Sequence, residues 1–224
     1  MTPYHLERKN VKNINLRIRC DGSVWVSANN NVPEQYIHDF VHRKQGYIQK
    51  VQSAFREQNS HQPQERQYVS GESFYLLGHS LRLKVTQDKK ENVYTDGVYL
   101  FLNTRDVNQF ERKKRMILRF YHRQCNQVFA EVLAEVYPKF QKYGVDMPAL
   151  KMRTMKKRWG SCIAKKGIIT LNKRLIEAPL NCIEYVITHE LCHLIHPNHS
   201  KAFYEMLTVF MPDWKMRKKT LDKT

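Results

Sequence analysis

The stretch HELCHLIHPNH, residues 189–199, is the most informative part of this sequence. It contains an HExxH motif, and a further histidine follows ten residues after the first. On a helix, residues i and i+4 lie on one face about one turn apart, so the imidazoles of His189 and His193 can reach one metal ion. Glu190 can then accept a proton from a metal-bound water, whose pKa zinc lowers towards about 7. The motif predicts a zinc-dependent hydrolase with Glu190 as general base.

The third ligand depends on where this helix ends. A straight helix would place His196 about 10 Å along the axis from His189, which is awkward for one tetrahedral ion. Pro197 disfavours helical geometry at His196, so we expect the chain to turn there and to fold His199 back onto the metal. Three protein ligands leave a fourth position open for water. The predicted ligands are His189, His193 and His199, with His196 or an acidic residue from a later helix as alternatives.

The residues around the motif favour a helix that is buried on one side. Apolar residues recur at helical spacing through it, and Pro179 suits a first-turn position. These apolar residues are Ile183, Val186, Ile187, Leu191 and Leu194. Cys192 lies off the ligand face, so we expect it to pack in the core rather than bind the metal. The alternative to a metal site is a buried helix whose histidines only satisfy hydrogen bonds.

Periodicity along the chain predicts an α+β fold. Residues 1–104 read as a β-hairpin-rich N-terminal region with one amphipathic helix, which Pro33 opens. Its hairpins are expected at the Asp21-Gly22 and Asp96-Gly97 turns, because Asp-Gly suits a two-residue type I′ turn. The polar run EQNSHQPQERQ, residues 57–67, looks like a linker or an exposed loop.

Residues 105–224 predict a separate, zincin-like catalytic domain. A long helix that Gly144 would cap comes first, then short strands at residues 150–152 and 168–171. The HExxH helix and a closing helix over residues 202–210 complete it. This order resembles a minimal metallopeptidase domain.

Three segments, one of which contains the HExxH motif, carry a resemblance to a known family. They are RWGSC at residues 158–162, GIITLN at 167–172 and HELCHLIHPNHSKAFY at 189–204. Together they resemble the YgjP-like metallopeptidase family, which is related to the SprT-like and WLM zinc peptidases. A weaker similarity extends over nearly the whole chain, including GESFYLLGHSLRLKV at residues 71–85.

The resemblance implies roles for several of these residues. His189, His193 and His199 would be the ligands, Glu190 the catalytic base, and RWGSC would border the active site. An extended peptide would lie along an edge strand, for which the strand ending at Leu171 is the candidate. The histidine spacing also equals the metzincin pattern, although His196 stands where that group has glycine.

The charge of the chain is the second informative feature. Its formal net charge is +17, and two segments concentrate the cations. Residues 112–123 hold six Lys and Arg, residues 151–166 hold seven, and neither segment has an acidic residue. Such density can bind polyanions through phosphate neutralisation and counterion release. Non-specific nucleic-acid contact is therefore an expected partner interaction beside a peptide or protein substrate, and a solvated basic surface is the alternative.

Composition favours a cytoplasmic protein. The five cysteines are odd in number and lack paired spacing, which is typical of a reduced compartment. No apolar run approaches the length of a membrane span, and the polar N-terminus lacks the apolar core of a secretory signal. Two other functions stay open: a metal-dependent hydrolase of a non-peptide substrate such as a nucleotide, or a nucleic-acid-associated protein with a structural zinc site. The presence of Glu190 disfavours the latter, since a structural site needs closed coordination and no general base.

Overall fold

The computed structural model describes residues 3–19, 22–59 and 66–223. The chain forms two compact units, Met1–Arg66 and Gln67–Thr224. Both units contain helices and strands, and the strands of the described residues form three small sheets. The predicted α+β class is therefore confirmed. No helix within the described ranges is long and apolar enough to cross a membrane.

The first unit packs one sheet against one face of two helices. Its strands are β1 (Tyr4–Arg8), β2 (Asn15–Ile18) and β3 (Val24–Ala28), in the order β1-β3-β2. β2 and β3 are antiparallel, as the predicted hairpin requires, although Asp21 of its turn lies outside the described residues. The helices are α1 (Glu34–Arg43) and α2 (Gln45–Asn59). The core consists of alternate residues of β3 together with Ile37, Val41 and Ile48.

The single helix predicted here is interrupted at Lys44. That residue ends α1, and its backbone N–H bonds back to the carbonyls of α1. Gly46 follows at the second position of α2, and glycine is the weakest helix former after proline. The expected apolar stripe is still present, because Ile37, Val41 and Ile48 are all buried.

The second unit begins with a four-stranded sheet that covers a long helix. The strands are β4 (Ser73–Leu76), β5 (His79–Gln87), β6 (Asn92–Thr95) and β7 (Tyr99–Thr104), in the order β4-β5-β7-β6. Alternate strand residues such as Leu83 and Leu102 are buried in the same cluster as Phe129 of helix α3 (Phe110–Val136). The predicted division after residue 104 therefore differs from the observed one at 66/67, since residues 67–104 share the core of the residues that follow.

The remaining elements complete the second unit. They are α4 (Pro138–Gln141), β8 (Ala149–Arg153), β9 (Gly160–Ile163), β10 (Ile168–Asn172), α5 (Leu180–Ile195), α6 (Lys201–Phe210) and α7 (Trp214–Leu221). Short 3-10 helices span Ala164–Lys166 and Lys173–Glu177. The long helix ends at Val136 rather than near Gly144, because Pro138 opens the separate helix α4.

The third sheet corrects the expected edge strand. Its order is β8-β10-β9, with β8 parallel and β9 antiparallel to β10. β10, which contains Leu171, is therefore the central strand and not an edge. β9 occupies the edge that packs beside α5. The sequence reading missed β9 because the glycine and serine at its start give no strand pattern.

Candidate metal centre

The HExxH motif lies in the C-terminal half of α5. The helix is amphipathic as predicted, and its apolar side, including Ile183, Ile187 and Leu191, is fully buried. It ends at Ile195, and His196 takes an extended conformation with φ −118° and ψ 93°. The helix therefore stops where Pro197 was expected to stop it.

The turn after α5 brings three histidines together. Nε2 of His199 lies 3.0 Å from Nε2 of His189, and one nitrogen from each of His189, His193 and His199 falls within a group 4.8 Å across. In the part of the chain that the structure describes, this is the only group of three such side chains with metal-binding geometry. The three residues could hold one metal ion. His196 is not part of the group.

The imidazole rings are held by their surroundings. Nδ1 of His193 lies 3.1 Å from the carbonyl oxygen of His196, so donation of a proton there leaves Nε2 free as a ligand. The ring of Phe203, on α6, contacts all three imidazoles at centroid distances of 4.6–4.9 Å. Phe203 is fully buried, and it packs the turn carrying His199 onto the core.

Burial favours the metal-binding protonation state of these histidines. It lowers the pKa of His189 to about 3, with smaller contributions from the neighbouring imidazoles. It also lowers the pKa of His193. Both rings are therefore neutral at physiological pH, so each offers a nitrogen lone pair. A group of three imidazoles suits zinc, which favours nitrogen and sulfur ligands.

Glu190 is buried beside the histidines and has an incomplete hydrogen-bond set. Burial raises its pKa to about 8, and the nearby charge of Arg158 acts in the opposite direction. Among the residues that the structure describes, its Oε2 has no hydrogen-bond partner, and the same holds for Nδ1 of His189. A buried carboxyl oxygen without a partner is costly, which is typical of a group that meets a ligand or water in its working state. The residues present therefore fit a metal site with an adjacent carboxyl group.

Strand β9 forms one wall of the cleft above the histidines. The cleft has a volume of about 570 Å³, and its lining includes the whole of RWGSC, from Arg158 to Cys162. Gly160 touches Glu190 so closely that a Cβ atom at this position would lie 2.5 Å from Oε1. The expectation that RWGSC borders the site agrees with this geometry, and the glycine makes room for the carboxyl group.

Sequence reasoning did not identify Asn172 as a positioning residue. Its buried side chain donates hydrogen bonds to the carbonyl oxygens of Met155 and Arg158, at 2.8 and 2.9 Å. Its backbone N–H donates to the carbonyl oxygen of Trp159 at 2.8 Å. Asn172 therefore fixes the loop that leads into β9. In the sequence, Asn172 is marked only by its place in the GIITLN segment. That segment does not indicate which carbonyl groups the residue binds.

Tyr185 was also missed as a residue of the cleft. It precedes His189 by one helical turn, contacts that imidazole edge-on and lines the cleft. Burial raises the pKa of its hydroxyl to about 12, so the group stays protonated at physiological pH and can donate a hydrogen bond. The i, i+4 spacing from His189 could have indicated its position. Cys192, by contrast, is fully buried in the core as predicted.

Comparison with known proteins places this site in context. The sequence matches the family described as YgjP-like, metallopeptidase domain, over residues 12–224. No curated protein matches the chain. Among solved structures, the metallopeptidase zymogen of Pyrococcus abyssi abylysin is similar at 23% identity and a TM-score of 0.35, over 42% of this chain and 90% of that one. The zymogen of Methanocaldococcus jannaschii jannalysin matches at 18% identity and a TM-score of 0.37, over 43% and 89%.

Proposed function

The chain belongs to the YgjP-like metallopeptidase family, and on that premise we propose that it is a zinc-dependent peptidase. His189, His193 and His199 would hold the zinc ion, and Glu190 would act as general base. The convergence of three imidazoles beside a buried carboxyl group carries this proposal. A bound zinc ion would supply Lewis acidity, which polarises a carbonyl group and lowers the pKa of water.

Glu190 would move the proton that peptide hydrolysis requires. Among the described residues no donor binds its Oε2, so in its ionised form the carboxylate would accept a proton from the attacking water and pass it to the leaving amine. Nearby cationic charge favours the ionised form that this role needs. Arg158 already acts on Glu190 in this sense. The hydroxyl of Tyr185 supports the same reaction as a hydrogen-bond donor from the cleft wall.

The substrate peptide would lie in extended form along β9. This strand is antiparallel to its neighbour and forms an edge of the sheet, so its outer backbone groups are available to a further strand. Addition of a peptide to such an edge uses main-chain hydrogen bonds and requires no particular peptide sequence. The position of β9 beside α5 would bring the peptide past Glu190.

Metal content and turnover test this function. We expect one zinc ion per chain, and hydrolysis of casein or of quenched fluorescent peptides that a chelator abolishes and zinc restores. Glu190→Gln should keep the metal and lose about 10²-fold or more in kcat, because glutamine preserves the shape but cannot accept the proton. Wild-type turnover by this variant would eliminate Glu190 as the base.

Two controls test which histidine is the third metal ligand and whether the substrate is a peptide or a nucleotide. His199→Ala should lose the metal while His196→Ala retains it, and the reverse result would overturn the ligand assignment. Nucleoside triphosphates assayed with and without chelator represent a non-peptide substrate. Chelator-sensitive hydrolysis of these compounds without any peptide cleavage would replace the peptidase function by that alternative.

A further inference from the structure

The cleft carries positive charge from two separate elements. Lys157 and Arg158 precede β9, and Lys218 lies on α7, yet all three line the same cleft. None of the three forms an ion pair within the described ranges of the chain. The lining has two carboxyl groups, of which Glu190 is buried against Gly160 and Asp222 lies near the end of α7.

The loop that presents Arg158 is fixed by buried hydrogen bonds. Asn172 binds the backbone of this loop at Met155 and Arg158 through its side chain, and at Trp159 through its own N–H. Asn172 is only 3% exposed, so these bonds are shielded from water. A fixed backbone reduces the backbone entropy that the loop must lose on binding a ligand. The structure therefore fixes the backbone from which the exposed Arg158 side chain lines the cleft.

These cations lie within electrostatic range of the HExxH motif. Arg158 opposes the effect of burial on the pKa of Glu190, and Lys218 contributes to the lowered pKa of His189. Arg158 therefore lies near Glu190 and Lys218 near His189, so both cations are near the bond that would be cleaved at this site. The positive charge is thus next to the reaction centre and not merely on the outer surface.

We propose that Arg158, assisted by Lys157 and Lys218, forms a subsite for a carboxylate of the substrate next to the scissile bond. The proposal rests on the peptidase function and makes the enzyme selective for acidic peptides. A guanidinium group matches a carboxylate in two parallel hydrogen bonds, and its bonds to an ionised acceptor are strong. The carboxylate comes from an aspartate or glutamate side chain or from a free C-terminus, which present the same group.

Matched peptides test this subsite on the zinc-loaded chain of residues 1–224. Each pair of quenched fluorescent peptides differs by Glu or Gln at one position flanking the cleaved bond, and each is made with a free and an amidated C-terminus. We expect the glutamate or free-carboxylate member to be cleaved roughly 10- to 100-fold faster in kcat/KM, mainly through KM, as charge-assisted hydrogen bonds commonly give. If the Glu/Gln exchange changes the rate, the subsite binds a side-chain carboxylate. If amidation of the C-terminus changes the rate, it binds the terminal carboxylate.

Variants then assign the preference to the cleft cations. In Arg158→Gln and in Arg158→Gln/Lys218→Gln the ratio between paired peptides should fall towards one, and Arg158→Glu should prefer lysine-containing peptides. Lys151→Gln, an exposed cation outside the cleft lining, should keep the wild-type ratio. Equal cleavage of paired peptides by the wild type, or an unchanged ratio in the double variant, would overturn the subsite and leave the peptidase function standing. Cleavage of no peptide at all would instead refute the peptidase function itself.

Discussion

Gly160 and Glu190 are in such close contact that the identity of the first residue limits the position of the second. A Cβ atom at residue 160 would lie 2.5 Å from Oε1 and 2.8 Å from Cγ of Glu190. We expect Gly160→Ala to displace the carboxyl group and to lower kcat/KM about 10²-fold, since a shift of about 1 Å in a catalytic group can have this effect. Metal content should be retained, because the three atoms nearest to the new methyl group all belong to Glu190, which is not one of the proposed ligands.

A matched glycine substitution and a double variant support this test. Gly46→Ala lies in α2, where an added Cβ meets nothing within 4 Å, and it should leave activity unchanged. In the Glu190→Ala background, Gly160→Ala should reduce the free energy of unfolding by less than it does alone, because its collision partner is gone. Additive effects on stability would show that the two side chains do not interact.

The buried carboxyl group of Glu190 also predicts how the metal-free protein responds to pH. Its pKa is about 8 in the folded protein, raised by burial from 4.5. Between these values the unfolded chain has released this proton and the folded protein still holds it, so the free energy of unfolding falls as the pH rises. Glu190→Gln removes this titration. The variant should therefore gain stability relative to wild type between pH 5 and pH 9, by on the order of a few kcal/mol.

Urea unfolding of both proteins with chelator, at pH 5, 7 and 9, measures this difference. His189 and His193 have lowered pKa values and act in the opposite direction below their unfolded value of 6.5. Their contribution is common to both proteins and cancels when the two are compared. A stability gap that is equal at pH 5 and pH 9 would contradict the raised pKa of Glu190.

At the scale of secondary-structure elements, the sequence predicts what depends on local periodicity. The HExxH helix, its end before Pro197 and the return of His199 follow from helix geometry and the steric effect of proline. The strand order of the third sheet does not follow from local periodicity, because strand pairing is decided by contacts between residues distant in sequence. β9 begins with Gly160 and Ser161, which carry no alternating pattern, and only its pairing with β10 makes it a strand.

The last helix, α7, shows the same limit. Its sequence WKMRKKTL is too polar for an apolar period, and it begins two residues after Pro212. The helix is held by the buried side chain of Leu221 and by two ion pairs of Arg217. Arg217 pairs with Asp213, which directly precedes α7, and with Glu184 of α5. Ion pairs between distant segments leave no periodic signal. Lys218 and Asp222 consequently reach the cleft from an element that the sequence did not indicate.

At the scale of the whole molecule, the basic segments differ in how much of their charge is free. In residues 112–123, Arg112 pairs with Glu91, Lys114 pairs with Glu111, and Lys113 is 5% exposed. The cations of residues 151–166 form no ion pair with any residue that the structure describes. Folding therefore leaves the second segment as the stronger source of unbalanced charge.

This asymmetry leads to a prediction about nucleic acids. We expect single- and double-stranded oligonucleotides to bind weakly, without sequence preference and with a steep dependence on salt. Each phosphate contact should contribute about 0.7–0.9 to the slope of log K against log salt concentration. Fluorescence anisotropy of labelled oligonucleotides between low and physiological salt measures affinity and slope together.

Charge-matched triple variants locate the contact. Lysines of the 151–166 segment outside the cleft lining are replaced by glutamine in one variant, namely Lys151, Lys165 and Lys166. Exposed lysines from other parts of the second unit are replaced in the control, namely Lys89, Lys139 and Lys142. Both variants lose the same net charge, so a general field effect would weaken oligonucleotide binding equally in the two. Direct phosphate contacts would instead reduce the slope of log K against log salt concentration only in the variant of the 151–166 segment. Equal losses in the two variants would refute a localised contact, and absence of binding at low salt would identify the charge as solvated surface.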